Sequence, residues 1–195
     1  MSIVTKFSDL DLKKVYTYAD YLTWQFDERV ELIKGFIRKM SPAPNRKHQH
    51  LVGSLYLLLH KSNNFKNCKI YLSPFDVRLP IPSKKKDTTV VQPDSCIICD
   101  ESKLDDHGCN GAPDLIVEIL SPFNTKHDLD TKFRLYEEAG VKEYWIVQPT
   151  DQNILVYYLV DNKYYGSKPF VTEEFIESKV FPDLKINVSD VFENI

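Results

Sequence analysis

Apolar positions along this chain change period several times, and each change predicts an element. Residues 1–16 are polar and read as a loose arm. Thr17 then serves as the N-cap of a short helix over Tyr18–Gln25, with Tyr18, Leu22 and Phe26 on one side. In R-V-E-L-I-K-G-F-I-R-K-M, Val30 alternates with Leu32 and Phe36 with Met40 around Lys34-Gly35, which predicts a β-hairpin carrying Glu31. S-P-A-P-N (Ser41–Asn45) breaks that pattern. Leu51, Leu55, Leu58 and Leu59 then recur at helical spacing and predict a helix from about Arg46 to His60.

Cys68–Leu79 reads as a strand, followed by a turn in P-I-P-S-K-K-K-D. Val90–Cys99 is a second strand and holds Asp94. Asp100–Gly111 is a polar loop with turn residues at Asp105, Asp106, Gly108, Asn110 and Gly111. Leu115–Leu120 is the most apolar strand, stopped by Ser121-Pro122. Thr125 can cap a helix over Lys126–Ala139, with Asp128 three residues on as in a capping box and Gly140 ending it. Glu143–Gln148 is another strand, and from Asn153 to the end the pattern is β, with a turn at Asp161-Asn162. The chain shows no repeat, low-complexity tract or linker. This order implies one domain over residues 1–195, a mixed α/β sheet flanked by helices with a β-rich C-terminal extension.

Length and composition agree with that picture. The 195 residues suffice for one substantial core, and 43% hydrophobic with 27% charged residues is ordinary for a globular chain. A formal net charge of −3 excludes a global basic footprint, so any nucleic-acid contact must be local. No apolar run approaches a membrane span, and no signal-peptide pattern opens the sequence, which makes the cytoplasm the expected location. Of the four cysteines, Cys96 and Cys99 form C-x-x-C within a strand pattern. Their odd separation points them to opposite faces, so all four (with Cys68 and Cys109) are expected as small, half-buried apolar residues.

Two carboxylates stand out. Asp94 and Glu118 interrupt apolar strand patterns, and burying an uncompensated carboxylate costs several kcal/mol. They are 24 positions apart across a loop, so their strands can be antiparallel neighbours about 4.8 Å apart, close enough to share a divalent cation. Asp114 shares Glu118's face but lies roughly 13 Å along the strand, and it reads as a loop or strand-end residue. Lys132 falls inside the apolar stripe Leu129, Phe133, Tyr136, Ala139 and needs a carboxylate to meet. A cation-holding carboxylate pair beside a positive group is what metal-dependent phosphodiester hydrolysis requires.

Several segments resemble the Uma family of restriction endonucleases, a branch of the PD-(D/E)XK nuclease superfamily. They are V-E-L-I-K-G, M-S-P with His48-Gln49, V-V-Q-P-D and G-A-P-D-L-I-V-E-I-L-S-P. The run D-L-x-x-K-x-x-L-Y-x-x-A-G-V-x-E-Y-W-I-V and the closing F-P-D-L-K-I-N-V-S-D-V-F continue the likeness. The resemblance implies a restriction-endonuclease-like fold and a Mg²⁺-dependent nuclease, with Mn²⁺ as an alternative ion. It implies Asp94 and Glu118 as metal ligands, the backbone carbonyl of Ile119 as a further ligand, and Glu31 as an accessory carboxylate. The superfamily motif asks for lysine two positions after the glutamate, where this chain has Leu120. Lys132, from the following helix, is the expected substitute. Nucleic acid, above all DNA, is the implied partner, and a homodimer would let single sites cut both strands of a duplex.

Other readings stay open on the sequence. Asp94 could be a strand-end residue bonded to turn amides. Lys132 could pair with Asp128 at i,i+4, or form a buried ion pair with Glu118 without any metal. Arg46, Lys47, His48 and His50 could contact a phosphate at a helix N-terminus or form a solvated turn, and Lys84–Lys86 could grip a backbone or only be a loop. Gln92 and His48 are candidates to line the site without a chemical step. As a whole the chain could be a non-catalytic nucleic-acid-binding or interaction module of the same fold, or a hydrolase of another phosphoester.

Overall fold

The computed structural model describes residues 3–40, 45–62, 67–82, 87–121 and 125–195, with the side chains of 125–128 set aside. The Ser41–Asn45 breaker (apart from Asn45), Lys84–Lys86, Pro122, and the expected Thr125 and Asp128 side-chain contacts lie outside the described residues.

The arm expected at the N-terminus is docked in its described part. Val4 bridges to Trp24, Tyr16 is buried and its N–H donates to Gly35, and Phe7 packs edge-on against Phe26. Phe7 and Tyr16, spaced among the polar residues, supply the apolar area that a polarity reading overlooks. Helix α1 is a single turn, Tyr18–Tyr21, shorter than expected. Its Thr17 N-cap forms a capping box with Asp20, and Thr23 then closes a turn onto the Asp20 carbonyl. The hairpin forms as the alternation predicts: β1, Val30–Ile33, pairs antiparallel with β2, Phe36–Lys39. Its two turn residues, Lys34 and Gly35, both have positive φ, the turn that matches strand twist. A Cβ at Gly35 would stand 2.4 Å from Val15, so the docked arm itself requires glycine there.

Helix α2 runs Arg46–Lys61 behind an Asn45 cap and buries Leu51, Leu55 and Leu59. The long strand expected over Cys68–Leu79 is two, β3 (Lys69–Leu72) and β4 (Val77–Arg78), in different sheets. Pro74 between them donates no ladder hydrogen bond. Val90–Cys99 is likewise split, into β5 (Val90–Val91) and β6 (Ser95–Ile98), with Pro93 and Asp94 at the break. The polar loop after it holds a small hairpin, β7 (Leu104–Asp105) with β8 (Gly108–Asn110). β9 (Leu115–Ile119), α3 (Thr125–Ala139) and β10 (Glu143–Gln148) follow as a parallel crossover unit. Antiparallel β11 (Asn153–Val160) and β12 (Lys163–Gly166) extend the sheet through the expected Asp161-Asn162 turn. The tail is only sparsely β. It contains β13 (Phe175–Ile176), β14 (Ile186–Asn187) and a terminal helix α4 (Val188–Phe192), which Asn187 caps.

The expected mixed α/β architecture therefore forms, organised as two six-stranded sheets. One has the order β2-β1-β5-β4-β8-β7 and the other β12-β11-β10-β9-β6-β3. Alternation along the second sheet decides what covers each face. Ile97, Leu115, Val117, Ile119, Trp145 and Val147 pack under α2 and α4. Cys96, Ile98, Ile116, Tyr144 and Ile146 point the other way, into a core shared with α3 and with Val77, Val91 and Cys109 of the first sheet. Glu118 has the parity of Ile116 and so faces α3.

The cysteine expectation holds for Cys96 and Cys109, both buried and free, and fails for the other two. Cys68 and Cys99 flank the paired residues Lys69 and Ile98 across β3 and β6 and form a disulfide. Sequence spacing hides this because the partners are 31 positions apart. Disulfides persist in oxidising surroundings, which the expected cytoplasmic location does not include. Among the described residues no helix is long and apolar enough to cross a membrane.

Candidate active site

β6 and β9 are antiparallel neighbours with Ser95 opposite Val117, so continuing that register sets Asp94 opposite Glu118. Both carboxylates line one cavity of about 350 Å³, as does Lys132. The first sheet supplies Glu31, which is 3% exposed and faces the same lysine. Four of the residues singled out in the sequence thus converge from β1, the β5–β6 break, β9 and α3.

Lys132 Nζ donates to Glu118 Oε1 at 2.9 Å and lies 3.2 Å from Glu31 Oε1. Its side chain is 11% exposed and Glu118's 12%. Tyr136, one helical turn further along α3, donates its hydroxyl to the same Glu118 oxygen at 2.6 Å. Residues i and i+4 on a helix share a face, so α3 presents both donors together. In the sequence Tyr136 is only part of an apolar stripe. Its i+4 spacing from the misplaced lysine is the available signal.

Asp94 is fixed from two sides. Its Oδ2 accepts the Ile119 N–H at 2.7 Å and the His48 Nε2–H at 3.1 Å. His48 is therefore turned inward from the first turn of α2, and His50 reaches the Glu193 carbonyl instead. Of the basic cluster read as either a phosphate contact or a solvated turn, only Arg46 and Lys47 are exposed. Asp114 is buried away from the cluster, bonded to the Cys99 N–H and to Lys142, a structural position consistent with its sequence reading.

Gln92 proves to be a hub. Its N–H donates to Glu31 Oε1 at 3.0 Å, its amide N–H to Asp76 at 2.9 Å, and its amide oxygen accepts from Arg29 at 2.8 Å. Nothing in the sequence around V-V-Q-P-D distinguishes this role from a lining one.

The electrostatics are those of an acidic pocket with too few cations. Burial raises Glu118's carboxyl above its ordinary value; Lys132 opposes the shift, and the Asp94 charge adds to it. Burial alone would depress Lys132, but Glu118 and Glu31 hold its ammonium well above the lysine range. His48 is drawn down by burial and more than restored by Asp94, leaving it above the usual imidazole value. Glu118 and Glu31 thus share one lysine while Asp94 stands beside them against His48, a cluster of carboxylates that a divalent cation would neutralise. Asp94 Oδ1 and Glu118 Oε2 accept no hydrogen bond among the described residues, which leaves each a lone oxygen for such an ion. Among the described residues no three His, Cys, Asp or Glu side chains are gathered closely enough to hold a metal alone, so main chain or solvent must complete any coordination.

The mixed sheet with its crossover helix has a counterpart among solved structures. A crystal structure of a "putative nuclease belonging to DUF820" from Anabaena variabilis superposes with a TM-score of 0.69. It is 18% identical and covers 90% of this chain and 97% of its own. At that identity the likeness establishes the fold. No curated protein matches the sequence. The model of the Uma2 family, described as "Putative restriction endonuclease", matches residues 18–189, and the chain belongs to that family.

Proposed function

We propose that the protein is a metal-dependent nuclease that hydrolyses phosphodiester bonds, with DNA as substrate, through a PD-(D/E)XK-type site whose lysine has moved to α3. The observation that carries this reading is the meeting of Asp94, Glu118 and Lys132 in one cavity, with Glu31 paired to the same lysine from behind. Asp94 and Glu118 would hold Mg²⁺ or Mn²⁺ together with the Ile119 carbonyl, and Glu31 would be the accessory carboxylate. Such an ion, when bound, acidifies water and stabilises charge on phosphoryl oxygens.

The remaining work falls to the chain. Lys132 is held by its carboxylates with an ammonium proton available to orient the attacking water. Its charge also offsets the negative charge that grows on the phosphoryl oxygens in the transition state. Tyr136 fixes the Glu118 carboxylate, while His48 and the Ile119 N–H fix Asp94. Leu120 leaves the usual lysine position empty of charge, and Lys132 fills that role from one helix away.

The test is cleavage of plasmid and single-stranded DNA with Mg²⁺ or Mn²⁺, with EDTA as control. Wild type is compared with Glu118→Ala and Lys132→Ala. Metal-dependent cleavage lost in both variants is expected. Retention in Lys132→Ala would reduce that residue to a structural ion pair. A folded wild type that binds DNA but cuts none would make the chain a binding module of this fold. A dimer, detected by light scattering, would account for cuts in both strands of a duplex.

A further inference from the structure

Resting on the nuclease reading, we infer that Arg29 is a phosphate-binding residue at the rim of the same cavity. It takes a backbone phosphate of the nucleic acid and so fixes the strand relative to Lys132.

The charge balance of the pocket leads to it. Lys132 faces two carboxylates and His48 faces Asp94. Arg29 also lines the cavity, yet its partners are neutral: one guanidinium nitrogen donates to Ser73 Oγ at 2.7 Å and to Gln92 Oε1 at 2.8 Å. Among the described residues no carboxylate lies within ion-pair distance of it. A guanidinium carries five donors in a plane. With one terminal nitrogen anchored, Nε–H and the other terminal nitrogen keep three donors and the full positive charge is retained.

The anchoring is built, not incidental. The Arg29 carbonyl accepts the Met40 N–H, which fixes its backbone at the mouth of the β1–β2 hairpin. Gln92 is in turn pinned by Asp76 and Glu31, so the arginine's orientation is coupled to the accessory carboxylate. Arg29 lies immediately ahead of β1, two positions before Glu31. A pre-oriented arginine with spare donors and no carboxylate partner suits a phosphate oxygen. An acidic pocket that must admit a polyanion also needs an unneutralised cation at its entrance.

The experiment measures binding of fluorescently labelled single-stranded and duplex oligonucleotides in EDTA, by anisotropy, over a series of NaCl concentrations. EDTA separates binding from cleavage. Arg29→Gln is expected to weaken binding about 10-fold at low salt. It should also flatten the slope of log K against log salt by about 0.7 for single strands and 0.9 for duplex, the amount that one fewer neutralised phosphate gives. Arg29→Lys should keep the slope, because charge is retained, and lose only part of the affinity. Arg29 is exposed, so both variants should fold, as thermal melts would check. An unchanged slope and affinity in Arg29→Gln overturns the inference even where wild type cleaves DNA. A flattened slope in a chain that never cleaves upholds it while the nuclease reading fails. Absence of any binding by wild type overturns the inference, while cleavage with Mg²⁺ decides the nuclease reading separately.

Discussion

Lys132 on α3 donates to Glu118 on β9 across 2.9 Å, 14 positions away along the chain, and both side chains are nearly closed to solvent. The hydrogen bond ties the crossover helix to the sheet it covers. Because Glu31 stands 3.2 Å from the same ammonium, it ties in the first sheet as well. Lys132→Met would leave two carboxylates buried and unpaired, and removing one partner of a buried pair costs roughly 3–5 kcal/mol. Denaturant melts should show that loss. Adding Glu31→Gln should recover part of it, since the two residues share one interaction and their effects are not additive. Full additivity in the double variant would show that Glu31 and Lys132 do not act together.

Tyr136→Phe removes one hydroxyl and keeps the ring that packs edge-on against Tyr144. Glu118 Oε1 keeps Lys132 and loses the 2.6 Å hydrogen bond. A bond to a charged group contributes about 1.5–3 kcal/mol, so a stability loss at or below that range is expected. A freer Glu118 carboxylate should also lower metal-dependent cleavage by about 10-fold, the effect of blurring an oriented ligand. Stability loss with an unchanged cleavage rate would make Tyr136 a packing residue only.

A second buried glutamate shows both the reach and the limit of reading sites from sequence. Glu118 is visible because it interrupts a strand of Leu115, Ile116, Val117 and Ile119, and Lys132 because it interrupts a helical stripe. Violations of a pattern in both elements point to each other. Glu143 is buried as deeply, yet it lies at the start of E-Y-W-I-V-Q and reads as a strand end. What it meets is set largely by the tail: besides the nearby Trp145 indole, it accepts from the Ser178 hydroxyl and the N–H groups of Lys179 and Val180, 35 to 37 positions ahead. Periodicity carries no information on such distant partners. The same blindness hides the Cys68–Cys99 bond and the Arg29–Gln92 hydrogen bond, 63 positions apart. It also lets the two sheets pass as one, because Pro74 and Pro93 sit inside stretches whose apolar residues read as single long strands. Local chemistry is better served. The Lys34-Gly35 and Asp161-Asn162 turns, the Thr17 cap and the α2 stripe all form as their residues predict.

Glu143 has its own expected titration. Burial raises its carboxyl above the ordinary value, and the Trp145, Val180, Lys179 and Ser178 donors offset this without cancelling it. A raised folded-state pKa means that the native chain holds the proton more tightly than the unfolded one. Stability from this group is therefore present in full below the unfolded value and falls as pH rises through the folded one. Glu143→Gln cannot titrate there. The stability difference between wild type and Glu143→Gln should accordingly shrink as pH rises from about 4.3 upward. A difference that grows with pH would mean the four donors dominate and the carboxylate is held ionised.

Metal binding and a purely structural ion pair predict opposite responses from Glu118→Gln. If Glu118 serves only to pair Lys132, its neutralisation weakens a buried bond and lowers stability whether or not a divalent ion is present. If three carboxylates around one lysine are kept for a cation, the ion-free protein carries excess negative charge. Glu118→Gln then relieves repulsion from Asp94 and Glu31, and its ion-free stability should equal or exceed that of wild type. The cost appears on adding Mg²⁺. Wild type at a hundred times its dissociation constant gains about 2.7 kcal/mol. For a chain of this length that raises Tm by about 5–10 °C. Glu118→Gln and Asp94→Asn should show little of that shift, and EDTA should abolish it in wild type. Thermal melts of the three proteins with and without Mg²⁺ decide the matter independently of any cleavage assay. A wild-type Tm that ignores the ion, together with a destabilised Glu118→Gln, would assign the cluster to the fold alone.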